Sequence, residues 1–130
     1  MIKTAAITVA FVSTAAWAAD VSILTGDQIQ QRIIGNTLVE TDQGASVAKF
    51  FSADGFIRVG DKDGAYKGVW KIKGNELCVG YEDDNGNLGE AKECSTVTLL
   101  GNRVTFSADD GSVSTLEKGN SRKLSETSEE

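Results

Sequence analysis

Tyr66-Lys67-Gly68-Val69-Trp70-Lys71-Ile72-Lys73-Gly74-Asn75-Glu76-Leu77-Cys78-Val79-Gly80-Tyr81 carries the fold in one line. Apolar and polar residues alternate with period two on either side of Gly74-Asn75, a pair that tolerates the positive φ of a tight hairpin. Two antiparallel strands, 66–73 and 76–81, are the result. Their parity sets Trp70 and Ile72 inward and Lys71 and Lys73 outward. In the second strand Leu77, Val79 and Tyr81 share one face and Cys78 lies on the other.

The same grammar extends in both directions. Gly-Asn recurs at 35, 86, 101 and 119, and Asp-Gly at 54, 63 and 110, each closing a short alternating run. Further strands are expected over 37–41, 47–52, 56–60, 92–100, 103–107 and 113–118, the last set placing Val104 and Phe106 inward. With linkers this short, neighbours in sequence should be neighbours in space. The expected fold is mainly β: a small antiparallel eight-stranded meander that closes, or nearly closes, into a barrel, since closure removes exposed edges. A two-sheet sandwich is the other architecture the pattern allows. One short helix should precede the sheet at about 25–34, with Thr25 as N-cap, Gln28 three residues on, Asp27 in the first turn and Gly35 at the stop. Its narrow stripe of Ile29 and Ile33, with Leu24 as the staple, has to dock on something larger.

Residues 1–18 read as an export signal: Lys3, an apolar stretch from Ala5 to Val12, and the small-x-small site Ala16-Trp17-Ala18. A single β-rich domain should fill 19–118, and the Ser- and Glu-rich segment 119–130 reads as a disordered acidic tail. No run is long enough for a membrane span. The expected address is the periplasm, or the medium beyond it.

The 130 residues hold 13 Lys and Arg, 19 Asp and Glu and no His. Losing residues 1–18 removes Lys3 and leaves a net charge near −7. An acidic monomer of this kind repels nucleic acid and anionic membrane and attracts basic proteins. The absence of His removes the Ser-His-Asp and Cys-His arrangements and the commonest metal ligand. Two cysteines 16 apart in an exported chain imply one disulfide, Cys78 to Cys94. The two stand opposite each other if the hairpin turns at Gly86, within Asp84-Asn85-Gly86-Asn87.

No constellation here names a reaction. Asp61-Lys62-Asp63-Gly64 and Glu82-Asp83-Asp84-Asn85-Gly86-Asn87 gather oxygens, but an EF-hand alignment on Gly86 puts Tyr81 at the first ligand position and Lys92 at the last. The acids Asp54, Asp61, Asp63, Glu82, Asp83, Asp109 and Asp110 all fall at turns, and nothing in the sequence places one of them in a desolvating pocket. Neither a metal nor a cofactor is called for, and no enzyme activity is expected. The aromatics Phe50, Phe51, Tyr66, Trp70 and Tyr81 are candidates for a core or for a binding surface. Phe50 and Phe51 are consecutive and cannot both face inward.

Ile34-Gly35-Asn36-Thr37, Phe51-Ser52-Ala53-Asp54-Gly55, Gly68-Val69-Trp70-Lys71-Ile72, Leu77-Cys78-Val79, Cys94 and Leu116-Glu117-Lys118-Gly119-Asn120 together resemble the small exported proteins of alphaproteobacteria related to the DUF995 family. That resemblance implies a periplasmic location and a β-rich fold, and carries over no catalytic residues. Gly68-Val69-Trp70 with the two cysteines also looks like the bacterial periplasmic protease inhibitors, eight-stranded barrels with a Gly-x-Trp and one disulfide. The function classes left standing are a binding module of the cell envelope, a periplasmic inhibitor of a protease or lysozyme-type hydrolase, and a lipocalin-like carrier of a small apolar ligand.

Overall fold

The computed structural model describes residues 22–42, 44–109 and 112–124; the expected export signal lies outside them. Ten strands and one helix run in chain order: β1 (Ser22–Ile23), α1 (Gly26–Arg32), β2 (Thr37–Asp42), β3 (Ala45–Phe51), β4 (Phe56–Asp61), β5 (Gly64–Lys73), β6 (Glu76–Tyr81), β7 (Glu93–Ser95), β8 (Val97–Leu100), β9 (Arg103–Phe106) and β10 (Val113–Glu117). All pair antiparallel in one sheet of order β1-β8-β9-β10-β2-β3-β4-β5-β6-β7.

That order makes the sheet curl. β7 borders β6 and β8 borders β9, yet only Thr96 separates the two strands in sequence. The edges must therefore meet. Around Thr96 they do: Ser107 N donates to Thr96 O (3.0 Å), Thr96 N to Ser107 Oγ (3.0 Å) and Ala108 N to Ser95 Oγ (3.0 Å). Counting 93–100 as one interrupted strand, and setting aside the two-residue β1, recovers the eight-stranded meander expected from the sequence. The interruption is the difference, and it arises because this segment serves β6 with one half and β9 with the other.

The tenth strand is β1, two residues that pair with β8 (Ile23 opposite Thr98). Leu24 N donates to Val97 O, and the chain then turns into α1, where Gly26 N donates to Asn75 Oδ1 of the β5–β6 turn. β1 and α1 thus fill the seam where β8 leaves β6. The helix has the expected capping box, Thr25 Oγ1 accepting from Gln28 N and Gln28 Oε1 from Thr25 N. It is shorter than 25–34. Ile33 caps it, Asn36 Nδ2 donates to Arg32 O, and Gly35 donates its N–H to Phe51 O in β3.

Leu24, Ile29 and Ile33 are buried under α1 and join Leu38, Phe51, Ile57, Val59, Leu77, Val97, Leu99 and Val104 in one core. Trp70 packs against it at the helix end, its Nε1 donating to Ser52 O (2.7 Å) in the β3–β4 turn. Phe51 is buried and Phe50 faces outward, half-covered, as consecutive strand residues must. Residues 119–124 of the acidic tail are hydrogen-bonded to the sheet, with Gly119 N donating to Asn36 Oδ1 and Thr37 Oγ1 to Gly119 O.

Cys78 and Cys94 are register partners and form the disulfide. Both point away from the core, but Cys78 is fully buried, because the segment after β6 folds back over the outer face. At Gly80 the Glu90 carbonyl occupies the place where a Cβ would stand. Two substitutions test this packing by urea unfolding. Cys78→Ser should lower stability by about 3 kcal/mol on the loop-entropy account. Gly80→Ala should cost about 1–3 kcal/mol by overpacking; a Gly80→Ala protein as stable as the parent would contradict the close approach.

Candidate functional site

Register decides what the barrel interior holds. Ser114 stands opposite Glu40, Glu40 opposite Val47, Leu38 opposite Lys49, Lys49 opposite Val59, Val59 opposite Tyr66, Leu77 opposite Ser95 and Val79 opposite Glu93. Partners across an antiparallel ladder share a face. The inward face is therefore apolar at the helix end and polar at the other, where Glu40, Lys49, Tyr66, Tyr81, Glu93, Ser95 and Ser114 gather beside the β2–β3 and β4–β5 turns and the loop after β6. This is the mouth.

A cavity of about 60 Å3 opens there, floored by Leu38, Phe51, Leu77, Val79 and Phe106 and rimmed by Glu40, Lys49, Tyr81, Glu93, Asp109 and Ser114. That volume holds about two waters, against the several hundred Å3 of a site for a drug-sized molecule. Beside it an open groove runs along Tyr66, Tyr81, Glu82, Asp83, Asp84 and Gly86. Three acids face one base across the cavity, and three more line the groove with no base.

Tyr81 organises the mouth. It stands opposite Gly68, whose missing side chain leaves room for the ring, and meets Tyr66 edge-on at 6.2 Å between centroids. Lys49 places its ammonium 5.2 Å from the centre of the same ring, a cation–π contact. Burial pulls the Lys49 pKa down, but the Tyr81 oxygen and the Glu40 carboxylate outweigh it and hold the group above its ordinary value. The Tyr81 phenol is also raised, with burial outweighing the pull of Lys49.

The turn acids have local duties. Asp83 Oδ1 accepts from Asn85 N and Asn87 N (both 2.9 Å), and Asp61 Oδ1 from Asp63 N (2.8 Å). Asp54 accepts from Phe56 N and from Arg58. Among the described residues no three acidic or sulfur-bearing side chains converge to hold a metal ion. The loop tip 83–90 is exposed throughout, Leu88 included, and is held at its base by the disulfide and by Gly89 N donating to Tyr81 O.

The structure thus divides the five aromatics. Phe51 floors the cavity, Trp70 seals the helix end, Tyr66 and Tyr81 form the mouth, and Phe50 lies outside. Sequence reasoning missed Lys49, Glu40, Glu93, Ser95 and Ser114. A signal existed for two of them: Lys49 is two residues before Phe51 and Glu40 two after Leu38, at core parity.

Both raised groups bind more protons in the folded state than in the unfolded one at alkaline pH, so stability must fall as pH rises past the unfolded values of 10.0 and 10.5. Below those values their contribution is fully present. Urea midpoints measured from neutral pH upward should be level and then drop, and Tyr81→Phe, which removes the raised phenol and the oxygen that holds Lys49 up, should blunt the drop. An equal alkaline drop in Tyr81→Phe and the parent would count against this pairing. No family model, no curated protein and no solved structure matches this chain.

Proposed function

We propose that this chain is an exported, non-enzymatic binding module of the cell envelope that takes a basic protein at the acidic mouth of its barrel. The small cavity carries the reading: the opening among the core residues is about 60 Å3, too small for a drug-sized molecule, while the acids and tyrosines lie on the rim around it. The same volume speaks against a carrier of a small apolar ligand. On the rim, Glu40, Glu82, Asp83, Asp84, Glu93 and Asp109 surround two tyrosine rings. Carboxylates steer a cationic partner, and aromatic faces hold an ammonium or guanidinium once it arrives. Export is supported by the character of residues 1–18 and by the disulfide. No described helix is long and apolar enough to cross a membrane.

A second reading, inhibition of a periplasmic hydrolase, is favoured by the loop tip 83–90. It stands exposed on a disulfide-stapled base with its turn fixed by Asp83, and it offers Leu88 to a cleft. Such preorganisation lowers the cost of binding. The resemblance to periplasmic protease-inhibitor barrels points the same way.

Asp84 and Glu93 are exposed, so reversing their charge spares the hydrogen-bonded turn at Asp83. Fluorescence anisotropy with an octalysine peptide should show Asp84→Lys with Glu93→Lys binding about tenfold more weakly at low salt, with the gap narrowing as salt rises. Unchanged affinity would overturn the mouth as the binding surface. In parallel, inhibition of a basic hydrolase that Leu88→Asp abolishes, with octalysine binding intact, would favour the second reading.

A further inference from the structure

Ser114 stands on the inner wall of β10 between two contrasting register partners, Val104 in the core and Glu40 at the mouth. It is only 8% exposed, and it lines the cavity. Among the described residues no group hydrogen-bonds its hydroxyl, whereas the other serine of the cavity, Ser95, accepts from Ala108 N (3.0 Å). A buried hydroxyl without a hydrogen bond is unfavourable, and at core parity a valine or alanine would serve the fold better if nothing came to meet it. The charges around the same cavity are unbalanced in one direction. Glu40, Glu93 and Asp109 line it with Lys49 as the one base. Lys49 is already engaged: its ammonium lies 5.2 Å from the centre of the Tyr81 ring and feels the Glu40 carboxylate. Glu93 and Asp109 have no base of their own, the described ion pairs being Arg58 with Asp54 and Arg122 with Glu117.

We infer that the cavity is a socket for one lysine side chain of a basic partner protein, whose ammonium docks among Ser114, Glu40, Glu93 and Asp109. This rests on the reading of the mouth as a site for a basic protein and names the side chain it takes. An ammonium has three donors and no acceptor, so the Ser114 hydroxyl accepts one and carboxylates accept the others. The apolar lining at Val79 and Phe106 suits the methylenes of the lysine stem. Size favours lysine over arginine. Room of about 60 Å3, about two waters, matches an ammonium with its last methylene, while a guanidinium is a planar fork roughly twice that size. The acids of the neighbouring groove, Glu82, Asp83 and Asp84, attract the partner from a distance, and the socket then fixes one of its side chains.

The test keeps the charge of the probe and changes only its heads. Fluorescence anisotropy compares octalysine with the same peptide trimethylated at every Nζ, which retains each positive charge and stem, loses every side-chain donor and swells the head. The parent should bind the trimethylated peptide about tenfold more weakly, as the loss of hydrogen bonds to a charged group implies. That ratio should hold as salt rises, because screening acts on both peptides alike. Ser114→Val, which replaces the hydroxyl with carbon and leaves the net charge unchanged, should weaken octalysine several-fold and narrow the gap between the two peptides. Ser114→Ala repeats the measurement if the valine lowers the thermal midpoint, and the peptide comparison on the parent needs no variant at all. Equal or tighter binding of the trimethylated peptide by the parent overturns the socket and assigns the lysine heads to the open faces of Tyr66 and Tyr81. Octalysine binding by both Ser114 variants at the parent's affinity overturns it too. If the parent fails to bind octalysine, the mouth reading falls and the socket with it. If Asp84→Lys with Glu93→Lys weakens binding while trimethylation and the Ser114 variants do not, the mouth stands and the socket falls alone.

Discussion

Everything in this molecule depends on residues 93–100 pairing in two directions. Cys94 faces Cys78 on β6, and three residues later Val97 faces Phe106 on β9. A flat sheet cannot satisfy both, because β6 and β9 would lie at opposite ends of the strand order. Curling satisfies them and gives the backbone N–H and C=O of Thr96 partners at Ser107, groups that an open sheet would leave exposed. The covalent staple sits at the first of the two pairings, where it holds β7 on β6 while β8 departs.

Curling also sets the size of the interior. Short strands enclose a space that Leu38, Phe51, Leu77, Val97 and Val104 nearly fill from the sides and that Ile29 and Ile33 seal from one end. α1 can do this because β1 anchors it to β8 and Asn75 receives its first turn. The other end has no described helix, and there inward parity is given to Glu40, Lys49 and Glu93, which water can still reach. One end thus holds the packed core and the other stays polar and open. A polar mouth over a full core suits a protein partner's side chains better than a buried ligand.

Much of this was legible in the residues. Alternation around Gly74-Asn75 gave β5, β6 and their facing, the position of Gly86 gave the Cys78 to Cys94 register, and Thr25 with Gln28 gave the start of α1. β1 was hidden because two residues have no period to read. The break at Thr96 was hidden because both halves of 93–100 alternate correctly; only the ring of partners reveals the switch. Lys49 and Glu40 sat at core parity but read as surface, since charge is normally a sign of exposure. The ordered segment 119–124 was unreadable for another reason: it has no alternation, and its order comes from side-chain oxygens of Asn36, Thr37 and Asn120 meeting its backbone.

The central claim is that a full barrel binds on its rim. Amide and methyl chemical-shift mapping during titration with a lysine-rich peptide tests it most directly, because rim and interior are reported in the same spectra. The account predicts that Tyr66, Tyr81, Asp84 and Glu93 shift, while Ile29, Ile57, Val97 and Val104 stay in place. Large shifts confined to those core residues, or spread evenly through the barrel, would contradict it.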